Sequence, residues 1–184
     1  MTDITDAITK LFDEKGLEYR KITHASCRTS AESAAARAEG GGGLVVGAKA
    51  LLIKSNCLAN QNGFGVFVLP GISKLNPKAL STKFRMATAQ EMAELTGGIQ
   101  PGAMPPFAAP VFPSLTSLYY DSAFAEADEM VGFNAGDHCV SIVVHMRNLI
   151  LAACPSHIIP FAIAPSASLC DEIFEGRTYA RRTP

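Results

Sequence analysis

The chain has 184 residues, of which 48% are hydrophobic and 18% charged, and its formal net charge is −1. Such a composition excludes a disordered chain, and the length suffices for one domain that buries about 70% of its unfolded surface. The near-neutral balance excludes a protein that wraps long nucleic acid such as DNA, which needs a surplus of Lys and Arg, but leaves open a grip on the end of an RNA.

Ile4, Ile8 and Leu11, with Ala7 and Phe12, make a helical stripe from about Thr5 to Lys15, stopped by Gly16. LEYRKITH alternates as a short strand. Thr29 and Glu32 have the spacing of a capping box, which predicts a helix over AESAAARAEG ending at Gly40. The run Gly40 to Gly43 precedes a strand, VVGAKALLIK. A phosphate-binding glycine motif needs the opposite order, so a helix-to-strand loop is expected. Asn62-Gly63 between LLIKSN and FGVFVLPG signals a hairpin. PKALSTKF reads as a helix, and Thr88 with Glu91 forms a second capping box opening AQEMAELTG. GGIQPGAMPPFAAP is too rich in Gly and Pro for a regular element. LTSLYY, EMVGFNAG and HCVSIVVH read as strands, DSAFAEAD as one helical turn and MRNLILAA as a short helix. From Pro155 onward there is no clear period, although IIPFAIA is apolar and is expected to pack on the domain. Helices without strict βα alternation predict an α+β fold, a mixed and largely antiparallel sheet with helices packed on it.

Two features have the chemistry of a site. In VVGAKALLIK, residues Val45, Gly47, Lys49, Leu51 and Ile53 share one face and Val46, Ala48, Ala50 and Leu52 the other. Both faces are apolar, as in a central strand covered on both sides. Lysine is almost never buried there without a partner. Lys49 therefore either sits where the sheet is open or points into a pocket as a cation for a carbonyl or phosphate oxygen. The second feature is Gly98-Ile99-Gln100-Pro101-Gly102, where Pro101-Gly102 has the sequence of a type II turn. It is either an ordinary surface turn or a loop whose backbone N–H groups approach a ligand.

Other residues carry weaker signals. His24, His138, His145 and His157 are scattered without metal-ligand spacing. Cys27, Cys57, Cys139, Cys154 and Cys170 give neither a C-x-x-C pair nor a disulfide framework. Cys27 has no evident base, His24 being expected on another face. Asp121, Glu126, Asp128 and Glu129 read as a solvated acidic turn, and Arg177, Arg181 and Arg182 as a solvated tail. MTDITDAITK lacks the apolar segment of a signal peptide, and no run reaches membrane-spanning length, so the expected location is the cytoplasm.

Taken in order, these residues resemble the YbaK/ProX family of editing domains, related to the insertion domain of bacterial prolyl-tRNA synthetase. The resemblance runs over residues 3–153. It rests on His24, TSAESAA from Thr29, AKALLIK around Lys49, Gly98 to Gly102, Pro106-Phe107, and FNAG from Phe133 to Gly136. It implies a single editing domain over residues 1–184, with a C-terminal extension over 154–184. It also implies hydrolysis of the ester between an amino acid and the terminal adenosine of tRNA. On that resemblance Lys49 positions the substrate, while Gly98 and Gly102 polarise the carbonyl. His24, Thr29, Pro101, Phe107, Asn134, Gly136 and Ser141 line the pocket. No metal or cofactor is implied. The implied partners are the acceptor end of a mischarged tRNA and an aminoacyl-tRNA synthetase, for a monomer or weak homodimer. Ala50 stands where the family commonly has Thr or Asn, and Ser141 near an expected aspartate. A non-catalytic module binding a tRNA end or small ligand is the alternative on the same fold.

Overall fold

The computed structural model describes residues 3–27, 29–43, 45–56, 58, 62–80 and 83–164. Cys57, Cys170, Arg177, Arg181 and Arg182 lie outside the described residues.

The first helix, α1 (Ile4–Glu14), is capped by the Asp3 carboxylate, which accepts from the Thr5 N–H. Its apolar stripe buries Ile8 and Phe12. Strand β1 (Tyr19–Thr23) follows, and then α2 (Ser30–Arg37). The Thr29 hydroxyl accepts from Glu32 N–H while the Glu32 carboxylate accepts from Thr29 N–H, so the predicted capping box is formed. The glycine run is not a plain loop. The helix continues as a wider turn over Ala38–Gly42, and Gly41 takes a φ of 78° that favours glycine.

Strand β2 (Val46–Ser55) is the axis of the molecule. It pairs antiparallel with β3 (Phe64–Pro70) along Ala48 to Lys54. On its other side it runs parallel to β7 (Met130–Asn134) for two residue pairs only, Val46 with Val131 and Gly47 with Gly132. Farther along that side, Ile53 to Ser55 pair with β5 (Phe84–Met86). Beyond β7 lie β8 (Val140–His145) and then β1, both antiparallel. Beyond β3 lie β6 (Leu118–Asp121) and β9 (His157–Ile159), both parallel. Among the described residues the sheet thus has eight strands in two halves that share β2. A separate ribbon joins β4 (Lys74–Leu75) to β10 (Ala162–Ile163).

Two apolar clusters cover the sheet. One face packs Leu52, Val66, Val68, Tyr120, Phe133 and Val144 against α1, α3 (Ala89–Thr96), α5 (Met146–Ala153) and the loop from Ile99 to Leu115. The other packs Ile53, Phe67 and Leu69 under Phe161. The predicted alternation of β2 is the observed one, with Ala48, Ala50 and Leu52 toward the first cluster and Leu51 and Ile53 toward the second.

Three expectations are corrected. PKALSTKF is not a helix: Pro77–Leu80 make a short 3-10 turn and Phe84–Met86 form β5. Those residues complete the edge of β2, and pairing there outweighs a weak local preference. The acidic turn is not uniformly solvated. Asp121 is only 4% exposed, caps α4 (Ser122–Ala125) and accepts from the N–H groups of Phe161 and Ala162. His24 and Cys27 do meet, with Nδ1 and Sγ 3.6 Å apart, because the chain there is a loop and the alternation of a strand does not apply. Among the described residues, no helix is long and apolar enough to cross a membrane.

Candidate functional site

Where β2 leaves β7, its edge has, among the described residues, no strand beside it until β5 begins. A cavity of about 390 Å³ occupies this gap and is lined by every residue of β2 from Gly47 to Leu52. The Leu52 carbonyl accepts from Ala87 N–H on the gap side, whereas the Gly47 carbonyl accepts from Gly71 N–H on the β3 side. Strand peptides alternate direction, so Ala48 and Ala50 also turn to the gap side; the Gly47–Gly132 pair engages the Ala48 N–H, and the Ala50 peptide faces the cavity. Met86, Ala87, Met92 and Met104 form an apolar wall, and Thr29, Ser33 and Arg37 of the α2 region form a polar one.

Lys49 lines this cavity together with Pro101, Gly102, Asn134 and Thr29. Its ammonium is half-buried and donates to the carbonyls of Gly71 (3.2 Å) and Ser73. An ammonium has three N–H donors, so one remains. Burial lowers the Lys49 pKa from its ordinary value, and the nearby Lys74 charge adds to the shift. Gln100 to Ala103 form a turn closed by Ala103 N–H to the Gln100 carbonyl (3.1 Å), with Gly102 at φ 91° as a type II turn requires. Among the described residues no acceptor meets the Gly102 N–H. Asn134 Nδ2 donates to the Gly102 carbonyl at 3.0 Å and so ties the turn to β7.

The remaining expected residues stand behind the cavity wall. Ser141, 0% exposed, is the β8 partner of Asn134 and donates to its Oδ1 (3.3 Å). His24 Nε2 lies 2.8 Å from Ser141 Oγ, and His24 Nδ1 lies 2.8 Å from the Ala25 carbonyl. Phe107 is core, edge-on to Phe12 and Phe133. Gly136 has φ 90° and donates to the Ala103 carbonyl, and a Cβ there would meet Ile4 at 2.8 Å. Gly98 donates its N–H to Ala93 O at 2.8 Å as part of the α3 terminus, so that group is engaged in the free protein.

Sequence reasoning missed Arg37, Ser33, Gly47 and Gly132. Arg37 is 2% exposed, and its side chain passes over the two glycines where β2 meets β7. A Cβ at Gly132 would stand 2.6 Å from Arg37 Nε, and one at Gly47 would stand 3.3 Å from Nη2. The available signal was spacing: Thr29, Ser33 and Arg37 recur every four residues, one face of a helix whose other residues are mostly alanines. Among the described residues, no three His, Cys, Asp or Glu side chains converge as a metal site, and Cys27, Cys139 and Cys154 are free thiols.

These features define a mixed-sheet α/β domain with a cationic cleft at the seam of two half-sheets. A model of the aminoacyl-tRNA editing domain matches residues 24–151, and the chain belongs to that family. Among solved structures, a hypothetical protein is 23% identical, with a TM-score of 0.68 over 85% of this chain and 99% of that one. A candidate trans-editing enzyme for prolyl tRNA synthetase is 19% identical, with a TM-score of 0.65 over 89% of this chain and 99% of that one. A candidate signal transduction protein from Marinobacter aquaeolei is 11% identical, with a TM-score of 0.55 over 85% of this chain and 30% of that one. At these identities the likeness is one of fold. No curated protein matches the chain significantly.

Proposed function

We propose that the protein is a deacylase that hydrolyses the ester linking a wrongly attached amino acid to the terminal adenosine of tRNA. One observation carries this reading: in a chain of the editing family, Lys49, the Pro101-Gly102 turn and Asn134 line one cavity. In the reaction, water adds to the ester carbonyl and the ribose oxygen leaves with a proton. Lys49 uses its remaining N–H to position the substrate through an ester or phosphate oxygen. Two carbonyls fix its ammonium in advance, so little reorganisation is needed. The negative charge that develops on the carbonyl oxygen is met by backbone N–H groups. Gly102 supplies one, and the exposed edge of β2 at Ala50 supplies another. Gly98 contributes only through the geometry of the turn, since its N–H already has an acceptor. An ester is more reactive than an amide, so such modest stabilisation suffices. The partners on this reading are the acceptor end of a mischarged tRNA and, for delivery, an aminoacyl-tRNA synthetase, in the cytoplasm.

Ala50, where the family commonly has Thr or Asn, favours a second reading, a module on this fold that binds a tRNA end without hydrolysis. Deacylation of a panel of tRNAs mischarged with Ala, Cys, Ser and Thr separates the two. The expected result is cleavage of at least one substrate, slowed about 100-fold or more by Lys49→Ala, the scale of losing one oxyanion donor. Equal rates for the native protein and Lys49→Ala on every substrate would leave only the binding reading.

A further inference from the structure

A buried guanidinium is strongly disfavoured without a counter-ion. Arg37 is such a group. Among the described residues its one hydrogen bond is from Nη1 to Ser141 Oγ, at 3.4 Å, and its Nε has no acceptor. Among the described residues no carboxylate pairs with it, and no Asp or Glu lines the cavity. The ionisable neighbour that most favours its charge is the Cys27 thiol, which burial pushes up and so keeps neutral at pH 7. Lys49, the other cation of the cavity, is already turned to two carbonyls. The planar fork of Arg37 lies in a cradle made by two residues without Cβ atoms, Gly47 and Gly132. Five N–H donors in a rigid plane match the paired oxygens of a phosphate or carboxylate.

We infer that Arg37 is the floor of an oxyanion subsite in the cleft, occupied by the phosphate of the terminal nucleotide or by an acidic side chain of the attached amino acid. This deepens the deacylase reading and rests on the cleft being where the acceptor end sits. It divides the labour between the two cations. Arg37 takes the anion, and Lys49 is left for the ester. Among the described residues nothing compensates this charge, so the ligand supplies a missing counter-ion.

The test measures binding to the intact protein in buffer free of phosphate and sulfate, by calorimetry and thermal shift, with AMP, adenosine, inorganic phosphate and succinate as probes. The native protein is expected to bind AMP at least tenfold more tightly than adenosine. Arg37→Met and Arg37→Gln are expected to abolish that difference, and Arg37→Lys to retain part of it. Without ligand, Arg37→Met is expected to melt no lower than the native protein, because it removes an unpaired buried charge. A purely structural arginine would show the reverse, a lower melting temperature with unchanged anion affinity. Succinate binding that depends on Arg37 would assign the subsite to a carboxylate, and AMP binding would assign it to the phosphate. If no anion binds the native protein at millimolar concentration, or if Arg37→Met and Arg37→Gln keep the native AMP-to-adenosine ratio, the subsite does not exist. Binding is read without turnover. Arg37-dependent anion binding with no deacylation would overturn the enzymatic reading alone, and deacylation without anion binding would overturn the subsite alone.

Discussion

Replacing Gly132 by alanine tests the seam directly. Its φ is not in the left-handed region, so the backbone accepts a Cβ. The space does not: the added carbon would lie 2.6 Å from Arg37 Nε, 2.7 Å from Arg37 Cδ and 3.0 Å from a Val45 methyl. Ordinary contacts begin near 3.4 Å, so the arginine must shift by close to 1 Å or turn to another rotamer. Overpacking of this kind costs roughly 1–3 kcal/mol. Restricting the unfolded chain returns about 0.4–1 kcal/mol. The net expectation is a loss of about 1–2 kcal/mol, or roughly 3–6 °C in Tm for a chain of this size. Gly47→Ala, with its nearest atom at 3.3 Å and at the far end of the side chain, should be close to neutral. Urea unfolding of Gly132→Ala, Arg37→Ala and the double variant closes a cycle. The penalty of Gly132→Ala should vanish once Arg37 is truncated. An equal penalty in both backgrounds would refute the placement of Arg37 over Gly132.

Asp121→Ala should destabilise by about 3–5 kcal/mol, since three N–H groups, of Phe124, Phe161 and Ala162, lose a carboxylate acceptor. Amide exchange at Phe161 and Ala162 should accelerate with it, and unchanged protection would rule out the clamp. Lys49 binds its proton less tightly when folded, because burial lowers its pKa from the ordinary 10.5. The unfolded state therefore holds more protons as the pH rises toward 10.5, and the stability contributed by this group rises with pH there. Native protein compared with Lys49→Met by urea unfolding between pH 8 and about 10 should show the difference moving in favour of the native side chain. A flat difference would mean that the ammonium is not desolvated.

Local chemistry was legible in the sequence. Both capping boxes, Thr29 with Glu32 and Thr88 with Glu91, form as their spacing requires. The two apolar faces of β2 and the turn at Pro101-Gly102 followed from alternation and from glycine's tolerance of positive φ. The illegible parts depend on pairing at a distance. Phe84–Met86 is a strand because β2 offers an edge, a fact no window of residues contains. The entry to the short strand β10, at Phe161 and Ala162, is held by the carboxylate of Asp121, which is remote in sequence and reads as a solvated acid. The cleft was half legible: Lys49 stood out as a cation on an apolar strand. Arg37, on a helix where an arginine is ordinarily solvated, has its position explained by two glycines on different strands, Gly47 and the distant Gly132.

The gap beside β2 has a consequence for the entropy of binding. A site made by loops must be ordered when its ligand arrives, and each side chain immobilised then weakens association. Here the cleft is bounded by a strand edge, a capped helix and a turn bonded to β7. It opens along β2 between the residues paired with β7 and those paired with β5. Most of the freedom lost on association is therefore the ligand's own, and a frayed, single-stranded end is the kind of ligand that has freedom to lose.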